Sequence, residues 1–233
     1  IFLNLKVHSQ FSICEGAVKI SKLENYCKEN NVSAVGLCDT SSLSGALEFS
    51  QTLRSSGIQP IIGTNILIKE KIEGRDFYGK LSLFAKNYVG YQNLLKLSSK
   101  SYLELQCDDS EPNVSLNLIK QYSEGVIVFI GGSRSFFSDL LTVNKDDYCR
   151  NEIQTLRDIF SSNIYIEIQR HFEKHEKLLE KKLLKLSSDL NIPLIATTET
   201  FYIDKETFDA HDAYLCVGQK TYVNDLKRLK YSN

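Results

Sequence analysis

Phe2-Leu3-Asn4-Leu5-Lys6-Val7-His8-Ser9 alternates apolar and polar residues and runs into Phe11-Ser12-Ile13-Cys14-Glu15-Gly16. In a strand, side chains two apart face the same way, so Lys6 and His8 project side by side into whatever the strand lines. A second stretch, Ala34-Val35-Gly36-Leu37-Cys38-Asp39, predicts a buried strand that delivers Asp39 at its C-terminal end, after which the chain enters a helix. Working outward, further strands are expected at Pro60–Ile68, Leu81–Ala85, Val126–Ile130, Ile164–Ile168 and Pro193–Thr197. Helical patterns fall at Ser21–Glu29, Ser42–Ser55, Asn87–Tyr102, Lys145–Phe160, Glu173–Leu190 and Phe208–Val217. In the Glu173–Leu190 segment, leucines 178, 179, 183, 186 and 190 make an apolar stripe with lysines opposite, as in a helix that covers a sheet. Repeated βα alternation predicts an α/β fold with a mostly parallel sheet, closed or nearly closed by helices. Lys69–Phe77 is expected to be a charged hairpin tip and Cys107–Asn113 an exposed loop, and neither divides the chain.

Length and charge narrow the functional classes. A chain of 233 residues can bury one large core, and we expect a single domain over 1–233. The formal net charge is −1, which excludes an overall basic footprint for phosphate backbones. The lysines of the 173–190 helix interleave with Glu173, Glu176 and Glu180 at helical spacing, the pattern of a solvated, salt-bridged face. Six scattered cysteines without C-x-x-C spacing favour reduced thiols and a cytoplasmic setting. No apolar run reaches the roughly 18 residues of a membrane span, so no membrane partner is expected. The chain starts at Ile1 and contains no Met, which leads us to expect a removed initiator or an excised segment.

The motifs resemble those of the PHP (polymerase and histidinol phosphatase) family, in the form carried by bacterial replicative DNA polymerases. The family's His-X-His strand end falls on Lys6 and His8, and its Asp-His pair on Asp39-Thr40. Pro60-Ile61-Ile62-Gly63 matches a family strand whose acidic residue two positions on is here Asn65. Lys80 stands where metal-binding members place a histidine, and Gly90-Tyr91-Gln92-Asn93-Leu94 resembles a signature of the polymerase branch. Gly131-Gly132 falls where those members have Gly-Cys or Gly-His, and Glu199 and Phe201 fall where they have Asp and His. The resemblance runs from about Phe2 to the basic tail near Lys230 and implies a distorted (β/α)7 TIM-like barrel. Residues 219–233 are then expected to begin the connection to a polymerase body.

If such a barrel forms, residues at its strand ends converge on one rim. Lys6, His8, Glu15, Asp39, Lys80 and Glu199 would meet there, with Thr40, Asn65, Gly132 and Phe201 at former ligand positions and His171 near the same rim. Lysine has no lone pair at neutral pH and repels a cation. The expectation is therefore a vestigial pocket with no catalytic residue and no metal, in which Lys6 and Lys80 compensate Glu15, Asp39 and Glu199. The alternative for the same residues is a single ion on His8, Asp39 and Glu199, supporting weak phosphoesterase or 3′–5′ exonuclease activity through metal-bound hydroxide. His171 is equally expected at a strand–helix junction, His175 on a solvated helix face, and His211 as a packed, hydrogen-bonded helix residue. The resemblance implies a structural scaffold that docks a proofreading exonuclease subunit and contacts DNA only through the rest of the polymerase chain. No cofactor is expected for this segment, and Mg is implied for the parent polymerase domain.

Overall fold

A computed structural model describes residues 2–104, 111–171, 176–225 and 227–231. The chain divides into two compact units, residues 1–62 with 199–233, and residues 63–198.

In the first unit, strand β1 (Lys6–Val7) is followed by helix α1 (Ile20–Glu29), strand β2 (Ala34–Thr40) and helix α2 (Ala46–Ser55), and strand β3 (Gln59–Ile72) begins here. β1 pairs in parallel with β2, Val7 opposite Leu37. The core is the apolar side of these elements: Val7, Val18, Ile20, Leu23, Val35, Leu37, Phe49 and Leu53 pack into one buried cluster. α1 contributes Ile20, Leu23 and Cys27 at helical spacing. The helix expected from Ser42 starts instead at Ala46, because Ser42 and Ser44 hydrogen-bond each other and Ala46 N–H donates to Leu43 O, forming a turn before the helix.

The second unit carries the rest of β3, then β4 (Arg75–Ala85), α3 (Tyr88–Leu103), α4 (Leu116–Gln121), β5 (Val126–Gly131), α5 (Phe136–Thr142), α6 (Asp146–Phe160), β6 (Ile164–Ile168), α7 (Glu176–Leu190) and β7 (Leu194–Ala196). β5, β6 and β7 are parallel. β3 with β4 and β4 with β5 are antiparallel, so the sheet here is mixed where a mostly parallel one was expected. The supposed tip Lys69–Phe77 is mostly strand: β3 and β4 stay paired out to Ile72 opposite Arg75, leaving Glu73 and Gly74, both at positive φ, to make the turn. α3 is capped by Asn87, whose side chain accepts from Gly90 N–H at 2.9 Å. α4 and α5 went unanticipated. Each starts at a serine cap, Ser115 and Ser135.

The chain returns to the first unit through β8 (Glu199–Thr200), a short 3-10 helix (Lys205–Thr207) and α8 (Phe208–Gln219). β8 pairs in parallel with β1, Lys6 opposite Glu199 and Val7 opposite Thr200. α8 ends where Lys220 adopts the left-handed conformation. Of the expected loop Cys107–Asn113, residues 107–110 lie outside the described residues, as do His175 and the start of the Glu173–Leu190 helix. Among the described residues no helix is long and apolar enough to cross a membrane, and Cys14, Cys27, Cys38, Cys149 and Cys216 are free thiols.

Candidate functional site

In the first unit, Lys6, His8, Glu199 and Phe201 come together where β1 meets β8. Because Lys6 and Glu199 are opposite each other in the β1/β8 pair, their side chains share a face, and Lys6 Nζ lies 2.9 Å from Glu199 Oε1. The lysine side chain is only 4% exposed and the glutamate 18%. Burial alone pushes the Glu199 carboxyl up; the Lys6 ammonium, then His8, outweigh it and hold the group well below the ordinary carboxylate range. His8 Nε2 is 3.8 Å from the same carboxylate oxygen, too far for a hydrogen bond. The His8 ring is fully buried, and neither of its nitrogens has a hydrogen-bond partner among the described residues.

What faces His8 is an aromatic wall. Phe201 stacks on the imidazole with ring centroids 4.4 Å apart and planes 15° apart, and Tyr231 stacks on Phe201 at 4.2 Å and 16°. Tyr231 is carried there by the tail. Arg228 grips Asp212 of α8 through two hydrogen bonds of 2.6 and 2.5 Å, and Gln219 and Leu229 exchange a further pair. The Arg228 contact holds the Asp212 carboxyl below its ordinary range.

Asp39, at the end of β2, is fully buried and held by serines. Its Oδ1 accepts from Ser9 N–H at 2.7 Å and Ser12 Oγ at 2.6 Å, and its Oδ2 accepts from Ser9 Oγ at 2.8 Å. The turn carrying Ser12 folds back so tightly that a Cβ on Gly16 would lie 2.4 Å from Ser9 O. This brings Glu15 to Thr40, whose hydroxyl donates to the Glu15 carboxylate. His211 is buried in α8, its Nε2 2.7 Å from Glu15 O, the packed and hydrogen-bonded state expected from sequence.

The remaining expected residues belong to the second unit. Asn65 is buried and its Oδ1 accepts from Ser82 Oγ at 2.6 Å across the β3/β4 pair. Lys80 faces Leu67 in the same pair and bridges to Ser135 through the backbone. Gly132 has φ +78°, and a Cβ there would lie 2.6 Å from Glu167 Oε2. Glu167 is fully buried in β6; Thr197 Oγ1 donates to it, and Gln169 Nε2 donates to it at 3.1 Å. His171 follows β6 and its backbone N–H donates to Glu176 Oε1 at 2.7 Å, tying the strand exit to α7.

Sequence reasoning missed Ser9 and Ser12, the Glu167–Gln169–Thr197 network and the Arg228–Tyr231 tail. The signal for Glu167 was present, a single charge inside the apolar run Ile164-Tyr165-Ile166-Glu167-Ile168. Among the described residues no three His, Cys, Asp or Glu side chains come together as a metal-binding group.

This chain belongs to the PHP domain family, which it matches over residues 4–171. The relatives and a solved structure narrow the likeness further. The chain is 34% identical over 98% of its length to the DNA polymerase III subunit alpha of Borreliella burgdorferi, and 32% identical over 97% to that of Caulobacter vibrioides. In both cases it covers 20% of the relative, so it spans about a fifth of the length of the curated relatives it matches. A crystal structure of a provisionally assigned metal-dependent phosphoesterase from Bifidobacterium adolescentis superposes with a TM-score of 0.53 at 10% identity, covering 86% of this chain and 87% of that one. That likeness speaks to the fold alone, and with the family match it gives the α/β PHP fold.

Proposed function

We propose that the chain is the PHP portion of a bacterial replicative DNA polymerase alpha subunit, working in the cytoplasm as a scaffold without hydrolytic chemistry of its own. The observation that carries this reading is the Lys6–Glu199 pair: a tethered ammonium sits 2.9 Å from the carboxylate that would otherwise be offered to a cation. The rest of the donor set does not fit the family's metal cluster either. Both Asp39 oxygens already accept hydrogen bonds, Asn65 and Phe201 offer no anionic or imidazole donor, and Gly132 has no room for a side chain beside Glu167. The family's ligand positions are thus degenerate in each unit taken by itself, and the residues that occupy them serve stability. On this reading the segment needs no cofactor of its own, and Mg belongs to the polymerase domain of the parent chain, as the family resemblance implies. The partners are the remainder of the alpha chain and the proofreading exonuclease subunit, for which this segment offers a docking site.

The one observation that favours weak metal-dependent phosphoesterase or exonuclease activity is His8, buried with both ring nitrogens unpartnered among the described residues. A single imidazole beside a carboxylate already neutralised by lysine is too small a ligand set to hold a catalytic ion. The deciding experiment is elemental analysis of protein purified without chelator, combined with assays on a phosphomonoester and on single-stranded DNA ends. The expected result is less than stoichiometric Zn, Mn or Fe and no turnover. A tightly held ion per chain, with activity abolished by Asp39→Asn, overturns the reading. For the partner, titration of the exonuclease subunit against the full alpha chain and against one lacking this segment should show weakened binding to the latter.

A further inference from the structure

Helix α3 has two unlike faces. Gly90, Asn93, Leu94, Leu97 and Ser101 are buried, and the helix packs on β4 and β5. On the opposite side Tyr88, Leu95 and Tyr102 recur every seventh residue and are 72, 40 and 55% exposed. With Gln92, Ser99 and Leu103, the last 83% exposed, they fill a sector about 100° wide, at 100° per residue. No charged residue lies within it. The nearest cations are already engaged: Lys96 sits over the Tyr122 ring and Lys100 pairs with Glu104.

Three physical features decide what such a face suits. Monomeric proteins scatter their exposed apolar residues and seldom line them up, so an aligned stripe marks a contact surface. Tyrosine enrichment with charge depletion is the composition of an interface core, and permanent interfaces are the more apolar ones. Nucleic acid is disfavoured, because a phosphate backbone needs cations and the sector presents none. The relatives place about four-fifths of their length outside the part this chain matches, so a large permanent neighbour is available in the same polypeptide.

We infer that the Tyr88–Leu95–Tyr102 face of α3 is the seat of the remainder of the polymerase chain, a permanent intrachain contact. The inference rests on the polymerase reading above and adds the surface through which the scaffold is held. It is tested in the full-length alpha subunit by placing a photoreactive benzophenone amino acid at position 95 and mapping the adducts by mass spectrometry, with a mixture of isotopically light and heavy protein to separate intrachain from interchain products. The expected adducts join position 95 to peptides beyond residue 233 of the same chain. In parallel, Leu95→Asp combined with Tyr102→Asp should raise the rate at which limited proteolysis releases the N-terminal fragment at least tenfold. Leu178→Asp, a charge placed at another exposed leucine, should leave that rate unchanged. Adducts to the exonuclease or to a second copy overturn the inference, and so does the absence of adducts with an unchanged release rate. If the double variant fails to fold, the cross-linking result decides alone. Neither failure bears on the metal analysis, which tests the scaffold reading separately.

Discussion

Replacing Lys6 by methionine removes one charge while keeping most of the buried stem, and so isolates the electrostatic part of the Lys6–Glu199 contact. Breaking a buried ion pair by deleting one partner typically costs about 3–5 kcal/mol. Here the loss has a ceiling, because Glu199 can take up a proton: bringing a carboxyl of ordinary pKa 4.5 to its neutral form at pH 7 costs about 3.4 kcal/mol. Glu199 is also 18% exposed, so water relieves part of the stranded charge, and the expected destabilisation is about 2–3 kcal/mol. The pH dependence gives a second signature. In the parent, Glu199 has a depressed pKa, so its contribution is full above about pH 4.5 and is lost as pH falls through the folded value. In Lys6→Met, burial raises the same group, which therefore protonates more readily folded than unfolded, and the variant gains relative stability as pH falls. The two denaturation curves should converge in acid. Glu199→Gln in the Lys6→Met background should recover all but about 1 kcal/mol, since a neutral pair leaves no buried charge unmatched. Urea unfolding at pH 7 and pH 4.5 measures all of these, and a methionine variant as stable as the parent at pH 7, or a penalty that does not change with pH, refutes the reasoning.

Gly132 and Gly74 share nearly the same backbone, φ +78° and +80°, but a Cβ at Gly74 meets nothing within 4 Å while one at Gly132 meets Glu167. Alanine at Gly74 should cost about 1 kcal/mol of strain, and alanine at Gly132 at least about 2 kcal/mol more in the same unfolding assay. Ser12→Ala removes one of the hydrogen bonds to buried Asp39 and should destabilise by about 1–3 kcal/mol, with Ser12→Thr recovering most of it where the methyl is tolerated. The Asp212–Arg228 latch should hold fully above the ordinary aspartate value of 3.8, weaken below it, and open only as pH falls through the lower folded value of Asp212; proteolysis of the tail that stays slow at pH 6 and rises progressively below pH 3.8, with Arg228→Ala already fast at pH 6, is the expected result.

Local patterns made much of this architecture readable. β2 was found with Asp39 at its exit, β6 was placed at Ile164–Ile168, and α6 and α8 came within two residues, because each is long enough to show a period or an unbroken apolar run. β8 was invisible for the opposite reason: two residues carry no period, and the pairing that defines the strand is with β1. The charges of Lys69, Glu70 and Lys71 read as a loop in the sequence, although on a solvated strand face they are ordinary, and the β3/β4 pairing continues through them. Motif order led to Lys6, His8, Asp39 and Glu199, but the groups that set their state were out of reach. Ser9 and Ser12 are common residue types with no distinguishing spacing, and Arg228 and Tyr231 act on residues far away in the chain.

The discontinuity of the first unit has a consequence for its synthesis. Lys6 and His8 leave the ribosome well before their partners Glu199 and Phe201, and the Tyr231 ring beyond them, which emerge roughly two hundred residues later. At about 5–20 residues per second that interval is on the order of 10–40 s. Residues 63–198 form a complete unit within it, so the second unit can fold while the buried lysine of the first still waits in water for its counter-charge. A chain arrested with residues up to 198 outside the ribosome and residue 199 onward still inside it would carry one finished unit and one open strand edge on β1, a natural binding site for a holdase chaperone.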